Sequence, residues 1–599
     1  MPGNKIIVLD FGGQTANLIA RRIRQLGVYA EIALPDATTK KLKEAKGVIL
    51  SGSPFSIAGS SEPDYNKEMF SLGIPLLGIC YGMQLIAKDM GGKIGKCEKN
   101  EFGKAEMTLP NESVLFTATP EKQTVWMSHH DQVVKMPKEF ELTGTTDICK
   151  IAAMAYDKKK IYGFQYHPEV AHTEYGMEMI ANFVLDVCKC EKDWSMQGYL
   201  EKALAGIKEK VGEKKVLLLA SGGVDSTVLL ALLGMALPQE QVVALHVDTG
   251  LMRKNESEDV SRALHELELA ELMVVDASKE FFKELKGVID PEKKREIIGK
   301  LFLEITRSEV DKLDFDKENW ILAQGTIYPD TIESARTKYS DKIKTHHNRI
   351  DELVKMADEG LVIEPLNELY KDEVRELGKL IGLSDELIWR HPFPGPGLGI
   401  RVLCSDGKKL LKKIEAEEKK AKKIAKKYNL DAAILPVKSV GVQGDMRTYR
   451  HPVMLSGELN WDQLEKCSIE LTNTLNEVNR VVFLAGGEAK KIKPKKAFVD
   501  EERAQVCREA DAIAHEIVLE NNLQREIWQF PVIILPVEFN KGEAVVLRPI
   551  TSTEAMTAEF YKMDSNVLKE ITEKILNIDG VNAVLFDLTN KPPGTIEWE

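Results

Sequence analysis

Residues 216–233, VLLLASGGVDSTVLLALL, constrain this chain more than any other stretch. Val216 to Ala220 is short, apolar on both faces and closed by turn residues, which predicts a buried parallel strand. Ser221-Gly222-Gly223-Val224-Asp225-Ser226 follows, and Thr227 to Leu233 resumes as an apolar, helix-favouring run. Strand, glycine loop and helix in that order aim backbone N–H groups and a helix N-terminus at an anion, above all a phosphate. Two glycines let the main chain come close, and Ser221, Ser226 and Thr227 add hydroxyl donors. The loop is not a Walker loop, which ends in Lys-Ser or Lys-Thr. The alternative is an ordinary glycine turn before a helix, and the complete hexapeptide in its strand–helix setting weighs against it.

The hexapeptide resembles the pyrophosphate-binding SGGxDS loop of the N-type ATP pyrophosphatases. That resemblance implies ATP as co-substrate, cleaved between its α and β phosphates, with AMP left on an acceptor oxygen. It assigns ATP binding to Ser221, Gly222, Gly223, Val224, Asp225, Ser226 and Asp248, and gives Asp225 an indirect role on Mg²⁺ through water. The chain has 599 residues, enough for roughly three to five domains. Its net charge of −12 argues against a general nucleic-acid binder. No apolar run reaches the length of a membrane span, and the first residues enter a strand without a signal peptide. The eight cysteines are scattered. Cys188 and Cys190 alone are close, with no matching second pair, so a zinc site there is not expected. A cytosolic, reducing location fits.

The first 192 residues alternate strand and helix patterns: Lys5–Asp10, Tyr29–Ala33 and Gly47–Leu50 are strands with helical stretches between. This predicts an open, mostly parallel sheet with ligands at the C-terminal strand ends. At one such end, Pro75 to Ile79 runs straight into Cys80, and a helix begins directly after. Gly78 and Gly82 permit a strained turn, and a thiol at a helix N-terminus is favoured as thiolate, which is the geometry of a nucleophile elbow. A buried structural cysteine is the alternative reading. His167 and Glu169, after another strand, can present a base and its orienting carboxylate from one side of an extended segment. The constellation resembles the class I glutamine amidotransferases, which implies that Cys80 attacks the glutamine amide, His167 shuttles the proton and Glu169 orients His167. By the same resemblance Gln84 contacts bound glutamine, and Gly52 with Ser53 forms the oxyanion segment, Ser53 standing where glycine is usual. Trp126 to Asp131 matches a substrate-side loop, contributing His129 and Asp131, with His130 in a glycine's place. His129 and His130 also suggest metal, but no further ligand cluster accompanies them.

In residues 193–402, Val242–Asp248 and Trp320–Thr326 are further strands, ending in Thr249-Gly250-Leu251-Met252-Arg253 and in Ile327 to Ser334. Three strand ends bearing glycine and polar groups predict one shared site. Asp330 and Glu333 are placed to help there, or simply to cap a helix. At Lys344-Thr345-His346-His347-Asn348 the chain resembles the GMP synthase family, whose HVDxGxMR, QGTIYPDxIES and K-[ST]-HHN segments follow SGGVDS. The last belongs to a lid over ATP, which assigns Asp330, Glu333, Lys344, Thr345, His346 and Asn348 to lid function. The family's VGGLP after HHN is missing here. Arg390 to Arg401, rich in proline and glycine, is a fixed connector specific to that family. Arg295, in Lys293 to Gly299, matches its KRxIIG segment, a candidate for the nucleotide monophosphate.

Residues 403–599 carry a repeat. Ile434-Leu435-Pro436-Val437 recurs as Ile534-Leu535-Pro536-Val537, and Val478 to Phe483 recurs as Val581 to Phe586. Each copy reads strand, strand, helix, strand, which predicts two similar α+β subdomains. The resemblance implies a dimerisation and XMP-binding region, with Asp445, Gln529, Lys591 and Glu597 as XMP contacts. A second copy in place of a dimer partner leaves both monomer and homodimer open. The fold class is thus α/β, with two open mostly parallel-sheet domains and an α+β C-terminal region. The implied reaction is amination of XMP to GMP with L-glutamine, ATP and Mg²⁺. An NAD synthetase-like ligase is the rival enzyme, and a catalytically silent binding module is the rival from another class.

Overall fold

The computed structural model describes residues 3–13, 15–57, 63–267, 271–312, 319–328, 361–389, 393–408, 412–443, 446–552 and 558–599. They fall into two compact units, residues 1–202 with 328–341, and residues 203–327 with 342–599.

The first unit is built on a nine-stranded sheet. In chain order its strands are β1 (Lys5–Leu9), β2 (Tyr29–Ala33), β3 (Gly47–Leu50), β4 (Leu76–Ile79), β5 (Lys93–Thr108), β6 (Lys122–Lys135), β7 (Glu141–Thr146), β8 (Ala153–Tyr156) and β9 (Ile161–Phe164). Their order across the sheet is β2-β1-β3-β4-β9-β8-β7-β5-β6. From β2 to β9 all pairings are parallel. Strands β3, β4 and β9 are buried along their whole length, as parallel strands covered on both faces must be. Beyond β9 the sheet turns antiparallel. Strand β6 alternates buried and outward residues from Gln123 to Val133, the period-two pattern of a sheet with one wet face.

The second unit holds a five-stranded, all-parallel sheet of order β12-β11-β10-β13-β14. Its strands are β10 (Lys215–Leu219), β11 (Val242–Asp248), β12 (Glu271–Asp276), β13 (Trp320–Ala323) and β14 (Val362–Ile363). β10 lies in the centre, so the loop after it sits between two neighbouring strand ends. The helix begins at Val224 rather than at Thr227. Gly223 is extended and caps it, and Val224, Asp225 and Ser226 form its first turn, where N–H groups lack intrahelical partners.

The C-terminal repeat folds as two similar ββαβ units whose strands join in one sheet. The first comprises strands Asp431–Ile434 and Met446–Ser456, the helix Trp461–Thr474 and the strand Val478–Gly487. The second comprises Val532–Phe539, Gly542–Leu547, the helix Ser565–Leu576 and Val581–Asp587. Within each unit the first two strands are antiparallel and the last is parallel to the second. The two last strands pair antiparallel, Phe483 opposite Phe586, so a local pseudo-twofold relates the copies. One core, including Leu464, Leu471, Leu568, Ile571 and Phe586, serves both. Val402, at the end of the glycine-rich connector, bridges to Ile534, and Leu398 and Val402 share a core with Leu217 and Val243. Among the described residues no helix is long and apolar enough to cross a membrane.

Candidate active sites

Cys80 stands between β4 and the helix Tyr81–Asp89, with φ +53° and ψ −105°. A non-glycine residue at such angles is strained, and strain at a strand–helix turn marks a nucleophile elbow. The flanking glycines explain how the turn fits. A Cβ on Gly78 would lie 2.4 Å from the Gly82 carbonyl carbon, and one on Gly82 would lie 2.3 Å from the Leu50 oxygen. His167 is influenced by the Cys80 side chain, and its Nδ1 lies 2.8 Å from Glu169 Oε1. Burial pushes the imidazole pKa down, but the Glu169 carboxylate and the Cys80 side chain outweigh it and hold the value well above the ordinary range. Sequence reasoning placed His167 and Glu169 on an extended segment; they lie in a turn after β9 instead. That turn is fixed by the His167 N–H donating to the Trp126 carbonyl (3.0 Å) and by the Thr173 hydroxyl donating to the His167 carbonyl (2.6 Å).

Gly52 packs against both side chains: a Cβ there would lie 3.2 Å from His167 Cε1 and 3.9 Å from Cys80 Cβ. The Gly52 and Ser53 N–H groups have no hydrogen-bond partner among the described residues, which leaves them available to a developing oxyanion. Ser53 turns its hydroxyl away, donating to the Phe11 carbonyl at 2.8 Å. Trp126 to Asp131 is not a loop but part of β6. Its Ser128 carbonyl accepts from the Cys80 thiol at 3.7 Å. Asp131 is buried and takes the Ser56 hydroxyl, and His129 is buried beside Glu101. Gln84 is 4% exposed, with its amide donating to the Asp131 carbonyl (2.7 Å) and to Gln165 Oε1 (3.2 Å). Gln165 in turn donates to Cys80 Sγ at 3.7 Å. Gln165 was not singled out in the sequence, although it sits two residues before His167.

At the Ser221–Ser226 loop, Gly222 takes φ +76°, and the Ser226 and Thr227 hydroxyls both donate to the Gly223 carbonyl, at 2.9 and 3.1 Å. Ser221 and Ser226 hydroxyls lie 3.2 Å apart. Gly325, beyond β13, leaves room for the first helical turn: a Cβ there would meet the Ser226 nitrogen at 3.4 Å. Asp248 ends β11 and accepts from the Gly250 N–H at 2.8 Å. Lys371 is paired with Asp225 Oδ2, while Asp225 Oδ1 is buried without a hydrogen bond among the described residues. A buried carboxylate oxygen of that kind fits a hydrated hard cation such as Mg²⁺. Lys371 escaped the sequence reading. Its signal is a lysine at the first position of the helix Lys371–Leu380, where the helix dipole disfavours positive charge unless an anion is to be met.

The remaining segments of the second unit converge. Arg401, 1% exposed, pairs with Glu597 (3.1 Å) and Asp511 (3.3 Å). Arg253 and Arg401 both stack on Phe393. Lys294 pairs with the Glu599 carboxylate, and Arg295 donates to the Glu599 main chain at 2.6 Å. Lys591 exchanges two main-chain hydrogen bonds with Ala558, and Gln529 bridges to Ile550. The connector, the Lys293–Gly299 segment and the C-terminal tail are thus neighbours. Asp330, Glu333, Lys344, Thr345, His346, Asn348 and Asp445 lie outside the described residues.

The family "Glutamine amidotransferase class-I" matches residues 7–187, and "GMP synthase C terminal domain" matches residues 516–598. A "GMP synthase [glutamine-hydrolyzing]" of Bacillus cytotoxicus is 44% identical, with 99% of each chain covered. A "Probable GMP synthase [glutamine-hydrolyzing]" of Leptospira interrogans is 43% identical, again over 99% of each chain. One from Aquifex aeolicus is 38% identical over the whole of both chains. Relatives 38–44% identical over essentially the whole of both chains place this chain in the glutamine-hydrolysing GMP synthase family.

Proposed function

We propose that this chain converts XMP to GMP, taking nitrogen from glutamine and energy from ATP, with release of glutamate, AMP and pyrophosphate. The observation that carries the reading is the Cys80–His167–Glu169 array on one chain with the Ser221–Ser226 loop. The full-length relatives favour it over an NAD synthetase-like ligase. The Cys80 thiolate attacks the glutamine amide carbon, and the Gly52 and Ser53 N–H groups stabilise the oxyanion. His167, kept protonated by Glu169, gives its proton to the departing amine, so ammonia leaves and a glutamyl thioester remains. His167 then takes a proton from a water whose oxygen attacks the thioester carbon; the carbon–sulfur bond breaks, glutamate leaves, and the Cys80 thiolate beside protonated His167 is restored.

In the second unit the first turn after Gly223 and the loop hydroxyls hold ATP phosphates. The XMP C2 oxygen attacks the α phosphorus, pyrophosphate leaves, and ammonia displaces AMP from C2. Mg²⁺, held through water by Asp225, would neutralise phosphate charge. Arg295, Gln529, Lys591 and Glu597 are proposed to receive XMP, together with Asp445, and Asp330, Glu333, Lys344, Thr345, His346 and Asn348 to close over ATP. The internal pairing of the repeat supports a monomer, and the reducing cytosol suits its free cysteines. GMP formation is the test, with ATP and Mg²⁺, from glutamine or ammonium, in the natural chain and in Cys80→Ala. The expected result is loss of the glutamine-dependent reaction alone. Failure of the natural chain to make GMP from either nitrogen source would overturn the assignment.

A further inference from the structure

On β5, β6 and the segment after β7, three potential metal ligands from distant parts of the first unit meet. Glu101 on β5 stands directly opposite His129 on β6, and Cys149 follows β7. One ligand atom from each lies within 4.8 Å of the others. Glu101 is 7% exposed, His129 4% and Cys149 0%. The site is built from both sides. The Thr146 hydroxyl donates to Glu101 Oε1 at 3.0 Å, and the Cys149 N–H donates to that hydroxyl oxygen at 2.9 Å. Glu101 Oε2 is buried and accepts no hydrogen bond among the described residues. It lies 3.5 Å from His129 Nε2, too far for a good N–H···O bond. Two nitrogen or oxygen ligands on one tetrahedral zinc ion, with bonds of about 2.0–2.1 Å, stand about 3.3 Å apart. A buried carboxylate left without such compensation is costly.

We propose that Glu101, His129 and Cys149 form a structural divalent-metal site of the zinc class, with an exchangeable oxygen ligand in the fourth position. One carboxylate oxygen, one imidazole nitrogen and one thiolate are a borderline donor set that suits Zn²⁺ better than Mg²⁺ or Ca²⁺. The ion ties β5, β6 and the turn after β7 together. β6 also supplies the Ser128 carbonyl that accepts from Cys80 and the Asp131 carbonyl that holds Gln84. The metal thereby stiffens the wall against which the nucleophile is set. It takes no part in the proton transfers.

The test uses the full chain carrying Cys80→Ala, which removes the competing Cys80–His167 pair. The chain is stripped with a chelator, given one equivalent of Zn²⁺ and desalted. The expected result is about one retained zinc, whose X-ray absorption shows one sulfur at about 2.3 Å and three nitrogen or oxygen neighbours at about 2.0–2.1 Å. Adding Glu101→Gln weakens retention by at least tenfold, and adding Cys149→Ser removes the sulfur from the shell. Zinc that is not retained overturns the proposal and leaves Glu101 and His129 as an ion pair. So does a shell with two sulfurs or none, which would point to Cys188 and Cys190 or to adventitious binding. If Cys149→Ser does not fold, the shell measured in the Cys80→Ala chain decides alone.

Discussion

Asp587→Asn isolates the charge that fastens the C-terminal tail. Asp587, Arg480 and Arg548 are each 0% exposed, and both guanidiniums lie 2.8 Å from Asp587 Oδ2. The Trp598 indole donates to the same oxygen at 2.9 Å, and Arg480 also reaches the Thr595 and Glu597 carbonyls. Burial pushes the Asp587 carboxyl up, but the two guanidiniums outweigh it and hold it below the usual range. Burial, joined by the like charge of Arg548, brings Arg480 down to about 10 even against that attraction. Asparagine keeps the volume but loses the anion, and its single amide oxygen can replace only Oδ1, which accepts from the Thr589 N–H, or Oδ2, which accepts from Trp598. Removing one partner of a buried ion pair costs about 3–5 kcal/mol. At about 1.4 kcal/mol per tenfold, opening of the tail rises by about two to three and a half orders of magnitude. Amide hydrogen exchange read by mass spectrometry is the assay, because a chain of several domains has no single unfolding free energy. Peptides over 478–487 and 581–599 should exchange faster by that factor, and those over β1 to β4 should not change. Because the folded pKa is depressed, this stabilisation is present above the ordinary carboxylate range and is lost as pH falls through the Asp587 value. A change below tenfold in the tail peptides, or an equal change in β1 to β4, would refute the reasoning.

Glu169→Gln removes the carboxylate that keeps His167 protonated. Glutaminase turnover should fall about 10²-fold or more, and the alkaline limb of its pH profile should move to lower pH. The raised His167 pKa also adds stability below the ordinary imidazole range, lost as pH rises through the folded value, and thermal unfolding across that range should register its disappearance in Glu169→Gln. Gly82→Ala puts a methyl 2.3 Å from the Leu50 oxygen and 2.7 Å from its Cβ, both in rigid surroundings. It should destabilise the first unit by about 1–3 kcal/mol in a denaturant titration and lower glutaminase turnover, with ammonium-dependent synthesis kept. Lys371→Met, beside Asp225, should raise the KM for ATP in ammonium-dependent synthesis by about tenfold without changing glutaminase turnover; an unchanged KM would place Lys371 outside phosphate binding.

What could be read from the sequence was what local backbone demands impose. Cys80 was legible because a buried apolar strand runs into it and glycines stand two residues to either side, and no other residue fits at Gly78 or Gly82. The Ser221–Ser226 turn between strand and helix was legible for the same reason, but its helix begins three residues before the apolar run, because valine, aspartate and serine are weak helix formers whose first turn is set by the Gly223 cap. What could not be read was which distant side chains meet. Lys371 reaches Asp225 across 146 positions, and Gln165 reaches Cys80 across 85. His129 suggested a metal without a cluster because Glu101 lies on the facing strand and Cys149 beyond a further one. The repeat shows the same limit. Each ββαβ unit could be written down, but nothing in Val478 to Phe483 or Val581 to Phe586 states that these two strands pair with each other. Both are apolar enough to be central strands in any sheet. Their partner is chosen by where two amphipathic helices can share one core. The merger of the two subdomains into one sheet therefore follows from topology, and so does the meeting of the connector, Arg295 and the tail around Arg401 and Glu597.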